Sequence, residues 1–308
     1  MANPTYILCP GQGAQAVGMG KDFFESDPIA RETFEIANRV LGMDLSAVCF
    51  GGPEEILNQT DTAQPAIYVT SVACYRAAVA QGKIDAADVR AFAGLSLGEY
   101  SALHLAGVFG FEEGLNLVAS RGRYMQEAAV ATPSGMVAII GADEAAIDTL
   151  CAQAAGGEVL VPANFNAPGQ VVISGTLGAC ERALKAAEAS GLKAMALKVA
   201  GAFHSPLMQS AADQMKEELD KVTFLTPKVG VYSNVTAKLH GDAESIKSLL
   251  VDQIVKSVRW ADTMQTLIAS GDARFVEMAP GRTLAGLAKR INRRLPIESF
   301  ENWAALNA

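Results

Sequence analysis

Histidine is scarce in this sequence: three residues of 308. Any chemistry that needs an imidazole must therefore draw on His104, His204 or His240. Cysteine is equally uninformative as a scaffold. The five cysteines (Cys9, Cys49, Cys74, Cys151 and Cys180) are odd in number and carry no C-x-x-C spacing, which excludes a disulfide frame and a cysteine zinc site. No apolar run is long enough to span a bilayer. The first residues, Met1 to Cys9, lack a basic segment followed by a hydrophobic block, so no secretory signal is expected and the expected location is the cytoplasm. Excess positive charge is missing too. A net charge of −8 and a pI near 5.0 argue against nucleic acid as a partner. No repeats, low-complexity tracts or charged tails occur.

Half of the residues are hydrophobic, enough for one large domain or two smaller ones. Around the middle of the first half, the apolar run Val89 to Phe92 leads into Gly94-Leu95-Ser96-Leu97-Gly98 and then into a helical pattern from Glu99 to Ala106. Strand, G-x-S-x-G, helix is the nucleophile elbow, a sharp turn whose glycines let neighbouring chain pack closely. The same pentapeptide also suits a plain small-residue turn. As an elbow it would expose Ser96 and point the N–H of Leu97 at an oxyanion.

The rest of the pattern alternates strands and helices. Tyr6 to Cys9 reads as a buried strand ending at Pro10-Gly11-Gln12-Gly13. Helical stretches follow over Lys21–Leu41, Pro53–Asn58, Gln64–Ala80 and Phe111–Ala129. That alternation predicts a mainly parallel sheet with helices on both faces. From about Ser134 the order becomes strand (136–140), helix (143–155), strands (159–164 and 170–174), helix (177–190), strand (193–199), a β-α-β-β-α-β, ferredoxin-like unit. The main domain resumes with helix 206–221, strand 228–233, helix 243–255 and strand 274–277. The expected fold is thus α/β, a large domain formed by residues 1–127 and 201–308 with an inserted small subdomain, 128–200.

A serine hydroxyl needs a base within hydrogen-bond reach. His104 lies one helix further on, about 12 Å along the axis. His240, in Lys238-Leu239-His240-Gly241-Asp242, reads as solvent-exposed. His204, in a loop entering a helix where the main domain resumes, remains by elimination. No carboxylate stands out as a third member, so a backbone carbonyl is expected to orient the ring. The loop Gly11-Gln12-Gly13-Ala14-Gln15-Ala16 loosely fits a dinucleotide fingerprint, but Glu32 lies within a helix, not at a strand end. The loop more plausibly lends the Gln12 N–H to the oxyanion hole beside Leu97. No Gly-Lys-Ser/Thr follows, so it is no P-loop.

Several separated segments together resemble the malonyl-CoA:acyl carrier protein transacylases of fatty-acid synthesis, an α/β-hydrolase-like family, and the related acyltransferase domains of polyketide synthases. These are Pro10 to Gln15, Thr60-Asp61-Thr62-Ala63-Gln64-Pro65-Ala66, Gly94 to Tyr100 and Arg121-Gly122-Arg123-Tyr124-Met125-Gln126. Asn166 to Gln170, Ala202-Phe203-His204-Ser205-Pro206-Leu207-Met208, and Asp252-Gln253 with Val258-Arg259-Trp260 complete the set. The resemblance implies a malonyl ester on Ser96, with His204 as general base and then acid. It implies a Gln253 backbone carbonyl orienting His204, Gln12 and Leu97 N–H groups as oxyanion hole, and Arg121 holding the malonyl carboxylate. From the residues alone, Arg121 reads as an exposed helix arginine. The implied partners are malonyl-CoA and acyl carrier protein, with no metal, no other cofactor and no membrane. The elbow departs from the family at Leu95, where histidine is usual. The basic run Lys289, Arg290, Arg293 and Arg294 is a candidate docking patch for an acidic carrier or the CoA phosphates, or a solvated helix face. An acyl hydrolase or thioesterase, a trans-acting polyketide-synthase acyltransferase and a non-catalytic carrier-binding scaffold are the alternatives.

Overall fold

In the computed structural model, which describes residues 4–308, two sheets organise the chain. Five parallel strands form the larger: β1 (Thr5–Cys9), β2 (Val89–Gly94), β7 (Gly230–Tyr232), β8 (Arg274–Met278) and β9 (Ile297–Phe300), in the order β7-β2-β1-β8-β9. All five residues of β1 are buried, as expected of a central strand covered by helices on both faces. Its side chains alternate between the two layers. Ile7 and Cys9 join the core beneath the helix Thr60–Ala80, whereas Tyr6 and Leu8 pack with Trp260, Met264 and Phe275. Because β1 and β2 run in register, with Cys9 opposite Gly94, the Gln12 loop and the Ser96 turn emerge side by side at the C-terminal edge. That edge is where parallel sheets assemble ligand sites.

The smaller sheet holds β3 (Ser134–Ile140), β4 (Leu160–Ala167), β5 (Gln170–Thr176) and β6 (Lys193–Ala196). They are antiparallel, in the order β4-β5-β3-β6, and the helices Glu144–Ala155 and Leu177–Ala189 cover one face. Val137, Ile139, Ile147, Leu150, Ile173 and Ala183 make that face a core of its own. This is the ferredoxin-like arrangement expected from the element order. The edge strand β4 is tied to the larger body. Val258 N–H donates to the Ala163 carbonyl (2.8 Å), Phe165 N–H to the Val258 carbonyl (2.9 Å) and Ser257 Oγ to the Pro162 carbonyl (2.6 Å).

Some expected boundaries move, each for a local reason. The stretch 21–41 is two helices, Lys21–Ser26 and Pro28–Leu41, because Asp27 caps the second through the N–H groups of Ile29 and Ala30 and Pro28 suits its first turn. The long apolar helix starts at Thr60, not Gln64, with Pro65 inside it. Thr60 N–H is taken by the Gln126 side chain (3.2 Å), which anchors the helix start from the neighbouring helix, and burial of the stretch from Thr62 to Cys74 holds the helix together across Pro65. The strand expected through Val199 stops at Ala196, and Leu197 to Val199 become loop. The helices Leu45–Gly51 and Trp260–Ala269 and the edge strand β9 were not expected from the pattern. In β9, Glu298 and Ser299 interrupt a four-residue run, too short for periodicity to register.

Candidate active site

The turn after β2 is built around two glycines. A Cβ on Gly94 would collide with the backbone of Gly98, and one on Gly98 with the carbonyl of Cys9. Only glycine at both positions lets the helix Gly98–Leu105 start against the end of β1. Between them Ser96 takes φ = 51°, a left-handed conformation that costs a non-glycine residue roughly 1–3 kcal/mol. The strain is held from several sides. Ser96 N–H donates to Asn234 Oδ1 (2.6 Å), Asn234 Nδ2 donates to the Gly94 carbonyl (2.7 Å), and Leu95 N–H to the Cys9 carbonyl (3.1 Å).

His204 also sits at positive φ, 57°, in the loop where the chain returns from the small sheet. Ser174 of β5 braces that loop through a 2.6 Å bond to the Phe203 carbonyl. The ring is buried, its Nε2 lies 2.9 Å from Ser96 Oγ, and its Nδ1 lies 2.6 Å from the Gln253 carbonyl. A carbonyl can only accept, so Nδ1 carries the proton and Nε2 presents its lone pair to the serine hydroxyl. Burial, with Arg121 nearby, pulls the His204 pKa down to about 4. The imidazole is consequently neutral, and able to take a proton, across the physiological range.

Arg121 comes from the helix Phe111–Ala131 and is 1% exposed; the expectation of an exposed arginine is corrected. Gly122 explains the burial, since a Cβ there would strike the backbone of Thr60 and Asp61. Its absence lets the two long helices approach until Arg121 Nη1 meets Gln64 Oε1 (2.7 Å). Nη2 reaches Gln253 Oε1 (2.8 Å) and Ser96 Oγ (3.1 Å), and the guanidinium lies 5.5 Å from the centre of the Tyr100 ring. Burial pulls the Arg121 pKa below its ordinary value, so an incoming carboxylate relieves an unfavourable state.

These groups face a cavity of about 570 Å³ between the two sheets, to which Gln12, Leu95 and Met125 contribute from one side and Met136, Asn164 and Asn166 from the other. Among the described residues, the N–H groups of Gln12 and Leu97 have no protein acceptor, which leaves both available to an oxyanion. Leu95 partly packs on the Trp260 side of the sheet. Its carbonyl lies where a Cβ on Gly11 would be.

The remaining sequence candidates lie elsewhere. His104 Nδ1 is 3.1 Å from the Phe109 carbonyl, at the far end of its helix. His240 is not solvent-exposed: its side chain is fully buried, and Nε2 meets Glu99 Oε1 at 2.6 Å. Its loop pairs back on β7, with the His240 N–H on the Val231 carbonyl (2.8 Å), and carries the ring inward. Glu32 pairs with Arg76 on the Thr60–Ala80 helix (3.0 Å), away from any nucleotide-like role. Lys289, Arg290, Arg293 and Arg294 are exposed and do not line the cavity. Sequence reasoning missed Asn234, Glu99, Gln64 and the Gln253 side chain. Asn234 carried one signal: a polar residue just beyond the strand that neighbours β2.

Comparison with known proteins gives the family and the fold. Residues 5–299 match the family model described as an acyl transferase domain. The chain belongs to that acyl transferase family. It is 44% identical to the malonyl CoA-acyl carrier protein transacylase of Salmonella typhimurium, over 98% of this chain and 97% of the relative. The structure of the malonyl CoA-acyl carrier protein transacylase from Coxiella burnetii superposes with a TM-score of 0.95 at 40% identity, covering 99% of this chain and 96% of that one. A malonyl-transacylase solved in complex with its type II polyketide-synthase acyl-carrier protein gives 0.94 at 41% identity, covering 99% and 98%. This acyltransferase therefore shares its mixed fold, a parallel sheet with a small antiparallel one, along nearly the whole chain.

Proposed function

We propose that this enzyme transfers a malonyl group from malonyl-CoA to the phosphopantetheine thiol of an acyl carrier protein, through an ester on Ser96. His204 Nε2 takes the hydroxyl proton as Ser96 Oγ attacks the thioester carbonyl, and the Gln12 and Leu97 N–H groups receive the oxyanion. The C–S bond breaks, and the imidazolium returns its proton to the departing CoA sulfur. The carrier thiol then gives its proton to His204 and attacks the ester carbonyl; the C–O bond to Ser96 breaks, the imidazolium protonates Ser96 Oγ, and malonyl-carrier is released. Each step uses groups of this chain and its two substrates, so the reading includes no metal or other cofactor. The Gln253 carbonyl holds the ring in the tautomer both steps need.

The observation that carries the substrate assignment is Arg121, buried and 3.1 Å from the nucleophile. A guanidinium there pairs a free carboxylate bidentately. A neutral acyl group would leave it desolvated and unpaired. The names of the relatives support the same substrate and a carrier of either the fatty-acid or the polyketide type; fatty-acid biosynthesis is the role we assign. Among the described residues no helix is long and apolar enough to cross a membrane, and we place the enzyme in the cytoplasm. Residues 128–200 form the small subdomain in this reading, with 1–127 and 201–308 as the catalytic body. Lys289, Arg290, Arg293 and Arg294 are the surface we assign to the acidic carrier.

Radiolabelled malonyl-CoA is expected to leave one covalent label on the enzyme and none on Ser96→Ala. An unlabelled wild type rejects the ester mechanism. Label passing to water in preference to added carrier protein would make the protein a hydrolase. Arg121→Ala is expected to lower kcat/KM for malonyl by about 100-fold, the scale of a charge-assisted pair lost in a dry site, while favouring acetyl in relative terms.

A further inference from the structure

Behind the nucleophile lies a polar cluster with no access to the cavity. Glu99, at the start of the helix after the elbow, is fully buried together with the Gln253 and His240 side chains. All of its partners are donors. Glu99 Oε2 accepts from Gln253 Nε2 (2.6 Å) and from the Asn234 N–H (3.1 Å), and Oε1 faces His240 Nε2 (2.6 Å). Among the described residues His240 Nδ1 has no partner, so the ring's one well-placed hydrogen bond there is the one to Glu99.

Gln253 connects this cluster to the reaction. Its amide nitrogen donates to Glu99 and to the Ser96 carbonyl (3.0 Å), and its amide oxygen accepts from Arg121 Nη2 (2.8 Å). If the amide turned over, its NH2 would oppose the guanidinium and its oxygen would oppose a carboxylate, two like-with-like contacts in a dry site. The Glu99 carboxylate, the Ser96 carbonyl and the Arg121 guanidinium thus all demand the same orientation, and the carboxylate gives the shortest of the three bonds. The hydrogen-bond partners of Arg121 are two amides and the Ser96 hydroxyl. Among the described residues no carboxylate bonds the guanidinium directly; Glu99 acts on its charge only through space, one amide away.

We propose that Glu99, seated on His240, is a positioning residue for acyl selectivity: it anchors the Gln253 side-chain amide, which aims the Arg121 guanidinium at the acyl pocket beside Ser96. This rests on the malonyl-transfer reading and adds to it a device that acts through Arg121, separate from the Gln253 backbone carbonyl that serves His204.

The test compares kcat/KM for malonyl-CoA and acetyl-CoA, with carrier protein as acceptor, in the full-length enzyme and two variants. Glu99→Gln keeps the shape of the side chain but offers the Gln253 amide and the Asn234 N–H a neutral acceptor in place of a carboxylate, so the amide is held less firmly. Gln253→Leu removes the bridge but keeps the backbone carbonyl. Each is expected to lower the malonyl-to-acetyl ratio about tenfold, the scale of one hydrogen bond to a charged group. The loss should lie mainly in KM for malonyl-CoA, and the acid limb of the pH profile, set by His204, should stay in place. Equal losses on both acyl groups, or an unchanged ratio, overturn the proposal. If Glu99→Gln does not fold, Glu99→Asp, which draws the carboxylate back from Gln253 Nε2, takes its place with the same expected fall in the ratio, and Gln253→Leu reports on the bridge itself. Wild type and Arg121→Ala separate the two levels. If wild type shows no malonyl preference, or Arg121→Ala keeps it, the transfer reading falls and this proposal with it. If both behave as stated while the Glu99 and Gln253 variants keep the ratio, only this proposal falls.

Discussion

The two units of this molecule bury very different things. The large one encloses charge: Glu99, Arg121, Glu277 and Asp27 are all buried there, along with His204. The small one, between Ser134 and Ala196, buries only Ser134 and Ser174 among its polar residues, and its core is apolar. Buried charge is expensive unless it is hydrogen-bonded or used. In the large unit each such group is tied to a helix start, a bridging amide or the nucleophile. The contrast teaches a division of labour. The large unit supplies reactive groups held at some cost in stability, and the small one supplies a wall of the cavity and a brace for the His204 loop.

That contrast can be tested from its strongest consequence downward. His204→Ala should reduce acyl transfer by about 1,000-fold or more, the usual scale for a lost general base, with Ser96 labelling slowed in proportion. In the wild type, the depressed His204 pKa sets the sign of the pH dependence. The base is neutral above about 4, so kcat/KM should stay flat through neutrality and fall only as pH drops through about 4. A midpoint near 6.5 would mean that the ring is not desolvated. The same shift affects stability. An imidazole that is harder to protonate when folded than when unfolded contributes stability above its unfolded pKa, and loses it as pH falls from there towards 4.

In the small unit the expected effect is on stability. Ile173→Ala, in the fully buried centre of β5, should destabilise by about 2–5 kcal/mol, read as a lower denaturation midpoint. Folded molecules should keep the malonyl preference, and a changed acyl ratio would break the proposed division. The smallest effect is expected where the units are tied together. Arg259 lies 4.4 Å from the centre of the Phe165 ring and pairs with Glu144 and Asp262. Being partly exposed, these contacts should be worth about 1 kcal/mol in sum. Arg259→Ala should therefore lower stability slightly and raise KM by no more than a few-fold. A large fall in kcat would show that the clasp also sets the geometry near Gln253.

What could be read before folding depended on the range of the interaction. The elbow was legible because its glycines and serine are neighbours in the chain, and close packing at Gly94 and Gly98 leaves a local mark. The ferredoxin-like order was legible because strand and helix periods are local. The helix break at Asp27 was overlooked although its cap signal was present, since the apolar period runs across it. His240 was misread as exposed because its loop is polar, and only pairing with β7 turns the ring inward.

By itself the sequence determined the elbow, the alternation of strands and helices and the change of pattern at Ser134; elimination among three histidines made His204 the candidate base. Each follows from residue size, backbone freedom or charge over a few positions. Only the tertiary structure decided that Arg121 is buried and touches Ser96, since that needs Gly122 to let two helices close. It alone decided that Gln253 joins Arg121 to Glu99, and that a histidine from a polar turn ends beneath the active site. The contacts of Gln253 with Arg121 and Glu99, and of His240 with Glu99, link positions more than a hundred residues apart. No local preference encodes them, and the packing of the β-sheet edge against three helices does.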